Sequence, residues 1–272
     1  MTRRLALTSS LSLSLLACSL ASLPFIGSPA RADEAVAANS AQDPTGGSAN
    51  SGNAAQFYDQ GRELYWDQQY QAALAAFDQA VALQPDLAEA HFYRGRAAYR
   101  LGQYDLAIEA LDQAVRLAPQ LAGAYYYRGR AFYKEGDFEQ AASNLELALE
   151  IDPNDPDALT YRGRAYYKQG LYARAIDDLD QALSIVPEET LARFYRGRAY
   201  YKLEQYFLAI ADFDEVIAQQ PENATAYFYR ARAHEKIDAF TRAREDVLQA
   251  LELGLPPNLE PRARQLLAEL GS

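Results

Sequence analysis

The strongest constraint in this chain is a spacing. Pro85, Pro119, Pro153, Pro187 and Pro221 are equally spaced, and Gly61, Gly95, Gly129, Gly163 and Gly197 recur with the same step. Ala73, Ala107, Ala141, Ala175, Ala209 and Ala243 form a third column, and Tyr70, Tyr104, Phe138, Tyr172, Tyr206 and Phe240 a fourth. A sixth copy, with Ala231 in the glycine place, continues to Leu255. Self-similarity at a fixed period of this size marks a stack of supersecondary units, none of which buries its apolar face alone.

Each copy is numbered here so that its proline is position 32. Positions 8 and 20 keep Gly or Ala because two antiparallel helices must approach closely there. Proline cannot sit inside a helix, so each one marks the end of a second helix. The pattern predicts two helices of about 14 residues per copy, joined by a short turn.

Small residues at 8, 20 and 27 with bulky ones at 4, 11, 17 and 24 resemble the tetratricopeptide-repeat family. The second copy departs from that pattern, with His91 at 4, Ala98 at 11 and aromatics displaced to Phe92, Tyr93 and Tyr99. The resemblance implies an all-α fold, a right-handed α-solenoid of helical hairpins over residues 54–87, 88–121, 122–155, 156–189, 190–223 and 224–255. Residues 256–272 read as a C-terminal capping helix, with Asn258 as its N-cap and Leu259, Ala263, Leu266, Leu267 and Leu270 on one stripe.

The segment 1–32 holds three basic and no acidic side chains: MTRR, a largely apolar run from Leu5 to Ala21, then Ala30-Arg31-Ala32 before Asp33 and Glu34. That order reads as a signal peptide over 1–32, with export to a periplasm, a thylakoid lumen or the exterior. Two other readings stay open. Leu15-Leu16-Ala17-Cys18 resembles a lipobox, which would tie the chain to a membrane through a lipid on Cys18, and the apolar run is close to the length of a retained anchor. Cys18 is the single cysteine, which rules out an intramolecular disulfide or a cysteine-based zinc site. Residues 33–53, rich in Ala, Ser, Gly, Asn and Gln, are expected to be a flexible spacer.

Beyond that segment the chain carries 23 Lys and Arg against 37 Asp and Glu, a balance that argues against nucleic acid as a partner. At about 100° per residue, positions 2, 5, 9, 12 and 13 share one face of the first helix. Position 5 includes Phe92, Tyr126 and Phe194; position 9 is Arg62, Arg96, Arg130, Arg164, Arg198 and Arg232. Position 12 includes Tyr99, Tyr133, Tyr167 and Tyr201, and position 13 includes Lys134, Lys168 and Lys202. The family resemblance implies that this face lines a concave groove that receives peptides. Tyr and Arg are enriched at binding hot spots, so these columns are the expected binding surface for other polypeptides, acidic segments above all. Chaperone-tail binders of the family grip a terminal carboxylate with Asn, whereas this chain has Arg at 9 and Tyr at 6, so that specificity is not implied. Self-association through the solenoid ends and carriage of an acidic non-peptide ligand are the alternative readings.

Position 7 reads differently. Arg94, Arg128, Arg162, Arg196 and Arg230 point away from the groove, and in the last three copies Asp178, Asp212 and Asp246 at position 23 are the expected structural partners, whereas the second and third copies have Ala110 and Asn144 there. The acids at position 25, Asp78, Asp112, Glu146, Asp180 and Asp214, are expected to give the outer surface its negative charge. No catalytic constellation, metal site or cofactor motif emerges. His91 and His234 occupy unrelated repeat positions, Asp152 to Asp157 reads as a turn without the glycine and closing glutamate of a calcium loop, and Asn223 reads as a helix cap in spite of its glycosylation sequon.

Overall fold

The structure, a computed structural model, describes residues 49–271; the expected signal segment, Cys18 and the spacer up to residue 48 lie outside the described residues. Among the described residues thirteen helices follow one another: α1 Ala49–Trp66, α2 Tyr70–Leu83, α3 Ala88–Arg100, α4 Tyr104–Leu117, α5 Ala122–Glu135, α6 Phe138–Ile151 and α7 Pro156–Gln169, then α8 Tyr172–Ile185, α9 Thr190–Lys202, α10 Tyr206–Gln219, α11 Ala224–Lys236, α12 Phe240–Leu253 and α13 Glu260–Glu269. They form an all-α solenoid of six hairpins with a more loosely packed C-terminal helix. Helix α1 starts at Ala49, inside the span expected to be spacer.

The glycine column works by contact. A Cβ on Gly61 would lie 2.6 Å from the ring of Phe77, and on Gly95, Gly129 and Gly163 it would lie 2.6, 2.8 and 2.8 Å from Leu111, Leu145 and Leu179. Each glycine is at position 8 of the first helix, and each of these partners is at position 24, on the second. In the sixth hairpin Ala231 takes position 8 and the smaller Val247 position 24, and both are fully buried. Volume is thus conserved across the contact.

The tight turn inside every hairpin needs a left-handed residue at position 15. Gly102, Gly136 and Gly170 supply it without a side-chain penalty, while Gln68, Glu204 and Asp238 adopt φ of 62°, 61° and 58°. Between hairpins, Asp155 caps α7 by accepting from the backbone N–H of Asp157 at 2.9 Å and of Ala158 at 3.2 Å, and Asn223 caps α11 by accepting from that of Ala226 at 3.0 Å. Residues Asp152, Pro153, Asn154 and Asp155 form the inter-repeat turn that the sequence indicates, while Asp157, read as part of that turn, sits in the first turn of α7. Asn258 does not cap α13; the carbonyl of Pro256 accepts from the backbone N–H of Leu259 and Glu260, and Leu259, Ala263 and Leu266 seal the last hairpin's core.

The position 7 arginines bind in two directions. Arg162, Arg196 and Arg230 each grip Asp178, Asp212 and Asp246 of their own hairpin through two nitrogens, at 2.6–2.9 Å. Arg94, Arg128, Arg196 and Arg230 also reach Asp78, Asp112, Asp180 and Asp214 at position 25 of the preceding hairpin. Where the own-hairpin carboxylate is missing, Arg128 donates to Asn144 at 2.6 Å. These four position 25 acids keep about half of each side chain exposed and in addition tie consecutive hairpins together.

Candidate binding face

The concave face is rich in Tyr and Arg, and its arginines are held between rings. The Arg96 guanidinium lies 4.9 Å from the ring centre of Tyr65 and 4.9 Å from that of Tyr127. For Arg130 the flanking rings are Tyr99 at 4.9 Å and Tyr161 at 4.5 Å; for Arg164 they are Tyr133 and Tyr195, both at 4.8 Å. Arg198 sits 4.7 Å from Tyr167 and 4.6 Å from Tyr229. The register is the same in every case. Position 12 of the preceding hairpin and position 6 of the following one enclose position 9 of the hairpin between them. The negative ring faces attract the guanidinium, about 0.5–2 kcal/mol for each good contact.

This packing changes how much the expected site residues offer a partner. Phe92 and Arg96 are both fully buried, and Tyr99, Tyr126, Tyr133, Tyr167 and Tyr201 are nearly so. The tyrosines at position 6, which the facial assignment left out, cover the arginine column from the following hairpin. Their sequence signal was the fixed offset between the Arg of one copy and the Tyr of the next. Arg62, Arg130, Arg164, Arg198, Arg232 and Phe194 remain partly accessible, and Lys134, Lys168 and Lys202 are exposed along the rim.

The column's electrostatics are one-sided. Among the described residues, Arg62, Arg130, Arg164, Arg198 and Arg232 form no ion pair, in contrast to the position 7 arginines. The buried Nε atoms of Arg62, Arg130, Arg164 and Arg198 have no hydrogen-bond acceptor, and Arg130 Nη1 donates to the Tyr126 hydroxyl at 3.3 Å. The carboxylate side is supplied at longer range by Asp157 and Glu189. Burial, with repulsion from Asp155 and Glu189, pushes the Asp157 carboxyl up to about 6 against the pull of Arg130. Burial also raises Glu189 against Arg164, and raises the Tyr126 hydroxyl well above its ordinary value.

The two histidines are structural. His91 Nε2 lies 2.9 Å from the Pro85 carbonyl and His234 is buried 3.8 Å from Asp246. Among the described residues no group of three or more His, Cys, Asp or Glu is arranged to hold a metal ion, and no helix is long and apolar enough to cross a membrane.

Tetratricopeptide-repeat family models match residues 58–122 and 194–258, 129–170, and 156–189. No curated protein matches the chain. Among solved structures, YrrB, described as a TPR protein with an unusual peptide-binding site, superposes with a TM-score of 0.59 at 21% identity, covering 70% of this chain and 98% of that one. A tetratricopeptide repeat protein from Parabacteroides merdae gives 0.57 at 19% identity, covering 82% and 86%. The Cut9–Hcn1 structure gives 0.66 at 20% identity, covering 80% of this chain but 43% of that one. At these identities the likeness is one of fold. With family models spread over all six hairpins and equally spaced columns that close each hairpin by contact, the chain belongs to the tetratricopeptide-repeat family.

Proposed function

We propose that this chain is an exported, non-catalytic interaction scaffold whose concave face holds an acidic segment of another polypeptide. The observation that carries the reading is the contrast between two arginine columns: those at position 7 are matched by acceptors, while Arg62, Arg130, Arg164, Arg198 and Arg232 touch rings and, among the described residues, no carboxylate. An ordered line of cations with an exposed lysine rim attracts negative charge. Packed helices lie about 8–10 Å apart and an extended peptide advances about 3.3 Å per residue, so successive hairpins meet roughly every third residue. The description of YrrB as a peptide binder lends support by analogy of fold.

The test uses the exposed rim, because the stacked arginines also hold the fold. Lys134→Glu, Lys168→Glu and Lys202→Glu combined should leave the melting temperature unchanged and abolish capture of partners from the exported compartment. Capture by the unaltered chain should also weaken as salt rises, since the Debye length is about 8 Å at physiological ionic strength. Undiminished capture by the triple variant would reject the concave face as the binding surface. For export, the mass of the protein from its host decides: a mature N-terminus at Asp33 supports cleavage after Ala32, and an acylated Cys18 replaces it with a lipid anchor.

A further inference from the structure

The aromatic–arginine ladder has an unfinished last rung. Arg96, Arg130, Arg164 and Arg198 each lie between a position 12 Tyr ring of the preceding hairpin and a position 6 Tyr ring of the following one. Arg232 has the first of these, Tyr201 at 4.8 Å, and among the described residues no second ring lies over it. The place of the second ring falls to Ala263, in α13. Continuing the repeat numbering, α13 takes the place of a seventh hairpin's first helix, with Arg262, Ala263, Leu266 and Glu269 at positions 5, 6, 9 and 12. It therefore closes the apolar core with Ala263 and Leu266 but brings no ring to the concave side.

A cleft stands at this rung. It measures about 230 Å³ and is lined by Phe228, Arg232, Glu235 and Lys236 of α11 and by Arg262, Gln265, Leu266 and Glu269 of α13. A cavity of about 150 Å³ accepts benzene, so an aromatic side chain has room here. Phe228 and Leu266, both nearly fully buried, lie at its floor, and Arg232 gives it a guanidinium whose interior counterparts all take a second ring. Lys236 is paired with Glu235 at 3.2 Å. Three cations against two carboxylates leave the cleft net positive.

We infer that this cleft is a binding subsite for an aromatic side chain, tyrosine for preference, carried next to a carboxylate in the partner polypeptide; the inserted ring completes the ladder over Arg232. The inference rests on the scaffold reading above and names the residue that the partner must carry at the C-terminal end of the concave face.

The full chain should be titrated by NMR with the peptides acetyl-Glu-Asp-Tyr-Asp-Glu-amide and acetyl-Glu-Asp-Leu-Asp-Glu-amide. The tyrosine peptide is expected to bind about three- to fivefold tighter, from one added cation–π contact, and to shift the backbone amides of α13. Arg232→Met should remove that preference. Gln265→Tyr, an exposed substitution on the cleft wall, should remove it by filling the rung from within while the chain stays folded. Equal affinity for the two peptides, or a preference that survives both variants, would overturn the subsite. If both peptides bind equally and both lose affinity in the triple lysine variant, the subsite fails while the concave-face reading stands. Sedimentation at several concentrations provides the other arm: a dimer that Gln265→Tyr disperses would make a second copy the occupant and overturn the proposal.

Discussion

Arg196 holds both carboxylate oxygens of Asp212, through Nε at 2.9 Å and Nη2 at 2.6 Å, while its Nη1 reaches Asp180 of the preceding hairpin at 2.7 Å. The two carboxylates differ in environment: the Asp212 side chain is 6% exposed and that of Asp180 is 50% exposed. Removing one partner of a buried pair costs about 3–5 kcal/mol, whereas exposed pairs contribute about 0–1 kcal/mol. Asp212→Ala should therefore lower stability several-fold more than Asp180→Ala in urea denaturation. Equal losses would mean that water screens the inner pair as fully as the outer one.

Gly163 faces Leu179 Cγ, which a Cβ would approach to 2.8 Å, and the Ala175 carbonyl, at 3.1 Å. Gly163→Ala gains helix propensity of about 1 kcal/mol but forces α7 away from α8, an overpacking cost of about 1–3 kcal/mol. The net change is expected to be destabilising. Combining it with Leu179→Val copies the Ala231 and Val247 arrangement of the sixth hairpin. The double variant should recover about 1 kcal/mol relative to the sum of the single changes. Strict additivity in a double-mutant cycle would count against volume exchange at this contact.

Arg164 lies 4.8 Å from the Tyr133 ring, 4.8 Å from Tyr195 and 4.4 Å from Tyr161. Arg164→Lys keeps the charge and loses the planar face that stacks on the rings. We expect it to destabilise the chain by about 1–2 kcal/mol, while Lys168→Ala on the exposed rim stays within about 0.5 kcal/mol of the unaltered chain. The midpoint of chemical denaturation reads both. No difference between them would reduce the ladder to a surface feature.

Asp157 provides a pH signature. Its carboxyl titrates at about 6 in the folded chain, pushed up first by burial and then by Asp155 and Glu189. Below about pH 4 the group is protonated in both folded and unfolded chains. As pH rises toward 6 the unfolded chain releases the proton first, so stability is lost across that window. Asp157→Asn should remove the loss, stabilising the chain above pH 6 by up to about 2–3 kcal/mol and leaving it nearly unchanged at pH 4. Parallel pH profiles for the two proteins would show that Asp157 is solvated.

The sequence by itself determined the hairpins. Gly163 and Leu179, or Arg196 and Asp212, stand close together in the chain within one unit, so helix periodicity and side-chain size suffice to bring each pair together. The expected stripe on α13 likewise follows from local periodicity, although the cap assigned to Asn258 went to the Pro256 carbonyl, a backbone choice that composition does not encode. What only the tertiary structure decided is the state of the concave face. Facial geometry put Arg130 and Tyr99 on one side of their helices, but whether that side opens to a ligand depends on the angle at which the next hairpin stacks. That angle carries Tyr161, two helices further along the chain, onto the other face of the Arg130 guanidinium. The angle is set by many contacts between units, among them the Arg196 bridge to Asp180, and no single helix's period contains it. The same stacking decides where the ladder ends, since α13 follows the sixth hairpin with Ala263 where an inner hairpin would bring a ring.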